Sequence, residues 1–248
     1  MALRVFGDDS LFGETSGPGA PQVLALHGWG RRGSDFAQAL QGCSYVALDL
    51  PGFGATPAPV VATGAAGYAR AIEPVLDELP DRLVLVGHSF GGRVAVHLAV
   101  LRPERFKGLI LTGVPLLRCE PVRKPPVVFR MARWLDRAGV VPGPTIERLR
   151  RRYGSADYRA VEGVMRQILV TTVNESYEEQ LAALRLPVEL LWGAEDREVP
   201  LSIAERAADL LRAAGVDVKL VVEPGVGHHL PTASPAALYR AVEEMTLR

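Results

Sequence analysis

Cysteine, net charge and long apolar runs are what this sequence has least of, and each shortage excludes something. Its 248 residues include two cysteines, Cys43 and Cys119. Two thiols cannot build a disulfide framework, and these lack the spacing of zinc ligands, so they read as small side chains in a reducing compartment. Lys and Arg number 28 and Asp and Glu 28, giving a formal net charge of zero. No global positive field exists to hold phosphates, and no nucleic-acid partner is expected. No apolar run approaches the roughly 20 residues that a membrane-spanning helix needs. The start, Met1 to Asp9, has no basic segment leading into a long apolar one, so no signal peptide is visible and a cytoplasmic location is expected. Internal repeats and low-complexity tracts are missing too, and the Ala/Gly/Pro-rich residues 55–67 read as a loop.

What is present is an ordinary globular composition, 48% hydrophobic and 23% charged, long enough for one large core. Short runs rich in Val, Ile and Leu predict strands over 23–27, 45–49, 83–88, 108–112, 188–193 and 218–222. They show little alternation, as expected of strands covered on both faces. Amphipathic stretches predict helices over 34–40, 67–79, 91–102, 201–214 and 236–247. This β-α-β-α rhythm points to an α/β fold with a mostly parallel, doubly wound sheet, whose ligands bind beyond the carboxyl ends of the strands. Residues 116–182 break the rhythm. They open with prolines, otherwise look helical, and sit between two strands, which predicts a core of 1–115 and 183–248 carrying a helical cap insertion. From Arg118 to Arg166 there are 12 Lys and Arg against 5 Asp and Glu. That surplus reads either as solvated helix surface or as a lid attracting an anionic substrate.

The most informative five residues are Gly87-His88-Ser89-Phe90-Gly91, between an apolar strand and a helix. A serine there, with glycine two before and two after, reads as a nucleophile elbow: the turn is tight, needs small neighbours, and lifts the hydroxyl clear of the sheet. A hydroxyl is a poor nucleophile without a base, and the base needs an orienting partner. Asp196 follows one later strand and His228 the next, in the order Ser…Asp…His. Glu195 and Glu198 are rival acids, and His229 is a rival base. The glycines at 225 and 227 favour His228 by giving its loop freedom to reach the elbow. His97 reads as a helix-packing residue, and His88 as one that lines the pocket or packs beneath it. Adjacent histidines without a suitably spaced third ligand do not suggest metal. Negative charge on an attacked carbonyl oxygen requires backbone N–H donors, each worth about 3 kcal/mol. Phe90, just after the serine, and Trp29, in His27-Gly28-Trp29-Gly30, are the candidates.

With Asp49-Leu50-Pro51-Gly52-Phe53-Gly54, Gly193-Ala194-Glu195-Asp196 and Gly225-Val226-Gly227-His228, these motifs resemble the α/β-hydrolase family over nearly the full chain. The resemblance implies Ser89 as nucleophile, Asp196 as acid, His228 as base, a lid formed by the insertion, and no cofactor. It implies a carboxylesterase-like serine hydrolase (EC 3.1.1) of a small molecule, with same-fold lyases and carbon–carbon bond hydrolases as alternatives. Serine at 89 sets the chain apart from the related dehalogenases and epoxide hydrolases, which place aspartate there. Gly91-Gly92-Arg93 is similar to a lyase of the family that binds a polycarboxylate, although Arg93 also reads as a structural helix residue.

Two other classes stay open on the sequence. Gly28-Trp29-Gly30-Arg31-Arg32-Gly33 is a literal G-x-G-x-x-G, with Asp49 ending the next strand, which is the form of a dinucleotide fingerprint and suggests an NAD(P)-dependent oxidoreductase. A non-catalytic binding protein on the same fold is the other. Phe129, Met131, Trp134, Met165 and Tyr177 either line the cleft or pack the insertion, and the oligomeric state is open.

Overall fold

The computed structural model describes residues 2–7, 10–118 and 156–248. Its strands are β1 (Ala2–Phe6), β2 (Leu11–Ser16), β3 (Val23–Leu26), β4 (Tyr45–Leu48), β5 (Leu83–His88), β6 (Phe106–Thr112), β7 (Val188–Gly193) and β8 (Val218–Glu223). They form one sheet in the order β1-β2-β4-β3-β5-β6-β7-β8. β1 pairs with β2 and β2 with β4 antiparallel, and every later pair is parallel. The helices are α1 (Ala65–Ile72), α2 (Phe90–Leu101), α3 (Ala156–Ala160), α4 (Gly163–Thr172), α5 (Glu178–Ala183), α6 (Leu201–Ala213), α7 (Leu230–Ala233) and α8 (Pro235–Leu247).

The period of two in a strand divides the core into two layers. Leu24, Leu26, Leu85, Leu109, Leu111 and Leu190 join one cluster with side chains of α1, α2 and α6. Their neighbours Val23, Ala25, Val84, Val86, Ile110 and Leu191 join the other, with Phe36 and with Leu238, Val242 and Met245 of α8. Strands buried on both faces need apolar residues at every position, which is why their runs showed no alternation. Parallel pairing then brings one set of strand ends to a single rim: Leu26 pairs with Gly87, His88 with Thr112, and Gly193 with Glu223.

The mostly parallel, doubly wound sheet agrees with the sequence, and three details differ. The β1–β2 hairpin went unseen because β1 is a largely exposed edge, with Leu3 59% exposed, and carries no buried pattern. Instead of a helix over 34–40 there is a short 3-10 turn, Gly33–Phe36. The stretch 67–79 is interrupted, α1 giving way to a 3-10 segment, Glu73–Glu78, with Pro74 in its first turn. Proline has no N–H and its ring crowds the preceding turn, so the α-helix cannot run through it. Much of the segment expected as a cap, with Cys119, Phe129, Met131 and Trp134, lies outside the described residues.

Candidate active site

β5 ends at His88 and α2 begins at Phe90, leaving Ser89 between them with φ 49° and ψ −114°. An L residue holds such a conformation only where its surroundings over-determine it. Here the Ser89 N–H donates to the Thr112 carbonyl at 2.9 Å, while the Ser89 carbonyl accepts from the Gly92 N–H at 3.1 Å. A Cβ on Gly87 would sit 2.5 Å from the Gly92 Cα, and one on Gly91 would strike the carbonyls of Leu26 and His27. The turn closes only with glycine at both places.

Asp196 and His228 arrive on the loops after β7 and β8. The two loops are joined by the Ala194 N–H donating to the Glu223 carbonyl and the Glu195 N–H to that of Val226, each at 2.9 Å. Asp196 Oδ1 accepts the N–H groups of Glu198 at 2.9 Å and Val199 at 2.8 Å. Its Oδ2 lies 2.8 Å from Nδ1 of His228, and Nε2 of the same ring lies 3.0 Å from Ser89 Oγ. A carboxylate only accepts, so the ring proton belongs on Nδ1, and Nε2 is left facing the hydroxyl as an acceptor. Burial works against the charged imidazole, but the bond to Asp196, its charge, and the charges of Glu198 and Asp157 outweigh that, and the pKa of His228 lies above its ordinary value. Gly113, which sequence reading missed, makes room for the pair: at φ 56°, a Cβ there would sit 3.0 Å from His228 Cε1 and 3.2 Å from Asp196 Oδ2. Its only signal was a glycine directly after a strand.

The rivals are placed elsewhere. Glu195 is exposed, and Glu198 approaches the opposite side of the ring, its Oε2 3.7 Å from His228 Nε2. The His229 ring stands 5.5 Å from that of His228, at the start of α7. His97 packs against Tyr177 with ring centres 5.3 Å apart. His88 is buried beneath the site, its Nδ1 3.0 Å from the Thr112 carbonyl and 2.8 Å from the Thr112 hydroxyl. Desolvation first, and then the neighbouring His228, push its pKa down to about 3, so it stays neutral.

Trp29 and Phe90 are neighbours, their rings edge to face at 5.2 Å, and Phe53 packs edge-on against Trp29 at 5.0 Å. As the first residue of α2, Phe90 has an N–H with no acceptor inside its own helix. The turn holding Trp29 is anchored by His27, whose Nε2 accepts the Leu50 N–H at 2.9 Å while Nδ1 donates to the Gly28 carbonyl at 2.7 Å.

The dinucleotide-like pattern has a different use. Asp49 is buried, and its carboxylate accepts the Gly33 N–H at 2.7 Å and the Ala55 N–H at 2.8 Å. It staples two loops and, being buried, does not stand open to a ribose. The 3-10 turn after Gly33 supplies no helix N-terminus for a pyrophosphate either. Arg93 is also engaged within the fold: its guanidinium donates to the Thr172 carbonyl at the end of α4 and lies 5.8 Å from the centre of the Tyr177 ring. Tyr177 is buried and packs the described end of the insertion, and Met165 lies against Tyr68, with its sulfur 4.0 Å from the hydroxyl. Among the described residues no group of three or more His, Cys, Asp or Glu side chains could hold a metal ion, and no helix is long and apolar enough to cross a membrane.

The model of the alpha/beta hydrolase family matches residues 23–241. The chain belongs to that family. It is 29% identical over 237 residues to a 2-hydroxy-6-oxononadienedioate/2-hydroxy-6-oxononatrienedioate hydrolase of Paraburkholderia phymatum, covering 82% of this chain and 78% of that one. A pimeloyl-acyl-carrier-protein methyl ester esterase of Vibrio campbellii is 33% identical over 94 residues, 36% of this chain and 35% of its own. An esterase of Thermogutta terrifontis superposes with a TM-score of 0.68 at 24% identity, covering 94% of this chain and 92% of that one, which speaks to the fold. This alpha/beta hydrolase is thus a hydrolytic enzyme with relatives that act on different bonds.

Proposed function

We propose that this protein is a serine hydrolase that cleaves a carboxylic ester of a small molecule through an acyl-enzyme. The observation that carries the reading is the line of contacts from Ser89 Oγ to His228 Nε2 at 3.0 Å and from His228 Nδ1 to Asp196 Oδ2 at 2.8 Å. His228 takes the hydroxyl proton as Ser89 Oγ attacks the carbonyl carbon, and the buried Asp196 carboxylate stabilises the imidazolium so formed. The backbone N–H groups of Trp29 and Phe90 hold the developing oxyanion. His228 then gives its proton to the leaving alcohol and draws one from a water, which releases the acid and frees Ser89. The insertion between β6 and β7 forms a cap over the site. Its tie to α2 through Arg93 and its contact with Tyr68 through Met165 support that role.

Hydrolysis of p-nitrophenyl acetate, together with labelling by a fluorophosphonate, tests the reading. The wild-type protein turns over the ester and labels at Ser89, and Ser89→Ala loses both while keeping its melting temperature. Wild-type turnover by Ser89→Ala refutes it. The likeness to the Paraburkholderia phymatum enzyme favours a second reading, carbon–carbon bond hydrolysis of an anionic dienoate by the same three residues. Faster turnover of a 2-hydroxy-6-oxo dienoate than of any simple ester would establish that reading.

A further inference from the structure

Glu198, a rival acid by sequence, does not lie on Asp196's side of the ring. Its Oε2 instead lies 3.7 Å from His228 Nε2, the nitrogen that faces Ser89. The two partners differ sharply in exposure: the His228 side chain is 7% exposed and that of Glu198 63%. The carboxylate therefore stands on the solvent side of the reacting nitrogen. Its backbone is fixed, since the Glu198 N–H donates to Asp196 Oδ1 and the next residue, Val199, is buried and accepts from the Trp192 indole at 2.9 Å. Among the described residues no lysine or arginine pairs with it.

We infer that Glu198 is a specificity-determining residue, an anionic post on the leaving-group side that selects esters of neutral or cationic alcohols over esters of anionic ones. The inference rests on the serine-hydrolase reading. In that reaction Nε2 hands its proton to the departing oxygen, which must come within hydrogen-bonding distance of that nitrogen. Whatever the leaving group carries is thereby brought close to the Glu198 carboxylate. A second carboxylate, Asp157 on α3, adds negative charge on the same imidazole. Among the described residues the other groups facing His228 are Asp196 on its far nitrogen and the rings of His88, at 5.1 Å, and His229, at 5.5 Å. His88 is held neutral by burial, so among the described residues the charge beside the reacting nitrogen is negative. Because Glu198 is exposed, its field is partly screened, and selection of about two- to fivefold per unit charge is the scale to expect.

The test compares kcat/KM for three aryl acetates of similar size: phenyl acetate, 4-carboxyphenyl acetate and 4-(trimethylammonio)phenyl acetate, each corrected for its spontaneous hydrolysis. At low ionic strength the wild-type protein should prefer the cationic ester to the neutral one and the neutral to the anionic. High salt should compress the series. Glu198→Gln, which keeps the shape and loses the charge, should bring the cationic-to-anionic ratio down about fivefold or more. Glu198→Lys should invert it. The acid limb of the pH profile should move to lower pH in Glu198→Gln, because the imidazolium loses a neighbouring anion. A role in holding the loop alone would change all three rates together and leave the ratio untouched. An unaltered ratio in Glu198→Gln, or a wild-type preference for the anionic ester, overturns the assignment while the hydrolase reading stands. Failure of the wild-type protein to turn over any of the three, with no labelling of Ser89, takes down both.

Discussion

Asp196→Asn separates the geometry of the site from its chemistry. Asparagine is nearly isosteric and its amide oxygen can still accept the N–H groups of Glu198 and Val199, now 2.9 and 2.8 Å from Asp196 Oδ1. Its NH2 group then occupies the place of Oδ2, which lies 2.8 Å from His228 Nδ1. Two donors cannot face each other, so Nδ1 must become the acceptor and the ring proton must move to Nε2. A proton on Nε2 points at Ser89 Oγ and leaves the hydroxyl without a base. The charge that stabilised the imidazolium is gone as well. A wrong tautomer in this arrangement costs about 10⁴ in kcat, or about 5 kcal/mol of transition-state stabilisation. The assay is saturation kinetics on p-nitrophenyl acetate, with thermal unfolding alongside. kcat should fall by about four orders of magnitude and the melting temperature by no more than about 5 °C, since the backbone bonds survive. A variant within tenfold of wild-type kcat would show that the imidazole does not act as the base, and the mechanism would fail with it.

Three further outcomes follow from particular contacts. His88 is neutral when folded, with a pKa of about 3, and titrates near 6.5 when unfolded. The unfolded chain therefore binds the extra proton below pH 6.5, and stability is lost as pH falls from there towards 3. At pH 5 the loss is about 2 kcal/mol, so urea unfolding at pH 7 and pH 5 should show His88→Gln less pH-sensitive than wild type by about that amount. Equal sensitivity would exclude His88 as the linked group. Arg93→Met removes the donor to the buried Thr172 carbonyl, and should cost about 2 kcal/mol in denaturant unfolding; no loss would mean that the contact contributes nothing to the fold. Gly91→Ala drives a methyl into the carbonyls of Leu26 and His27 and should cost about 1–3 kcal/mol along with activity. Native stability and kcat in that variant would show that the elbow tolerates a side chain.

The parts of the fold legible in the sequence are those where one physical requirement dominates. Strands buried on both faces must be apolar throughout, so β3 to β7 could be found within a residue or two of their ends, and the half-buried edge strand β8 was found by its Val and Leu content. The elbow was legible because its backbone permits glycine alone at two fixed offsets. What escaped depends on tertiary context. β1 is an exposed edge that gains its conformation by pairing with β2, a long-range contact with no local pattern. In place of the helix expected over 34–40 stands a short 3-10 turn whose first N–H, that of Gly33, is captured by the Asp49 carboxylate, a contact between distant residues with no local pattern. That same bond explains the false dinucleotide motif, since an aspartate ending a strand looks alike whether it awaits a ribose or staples a loop.

Asp196 and Glu198 show how far spacing alone can go. They are two residues apart on one loop, both are carboxylates, and both lie within 4 Å of the same imidazole. Side-chain type and spacing do not assign their roles, and only the resemblance carried by Gly193-Ala194-Glu195-Asp196 favoured Asp196 as the acid. Environment assigns them. Asp196 turns inward, 1% exposed in its side chain, with one oxygen spent on two backbone N–H groups and the other on Nδ1. In the proposed mechanism it is held ready for a charge that forms only during reaction, and it cannot follow a substrate. Glu198 turns outward to the opposite nitrogen, carries among the described residues no hydrogen bond that fixes its carboxylate in place, and is open to whatever approaches from solvent. Preorganised charge stabilises a transition state because it does not have to reorient, whereas an exposed charge acts earlier, on which molecule arrives and how it departs. The first role is set by two backbone bonds and the second by their absence. Exchanging the two side chains, Asp196→Glu with Glu198→Asp, would therefore not exchange the roles: it would lengthen the inner side chain by one methylene, push the imidazole away from Ser89, and abolish turnover while leaving the outer charge nearly where it was.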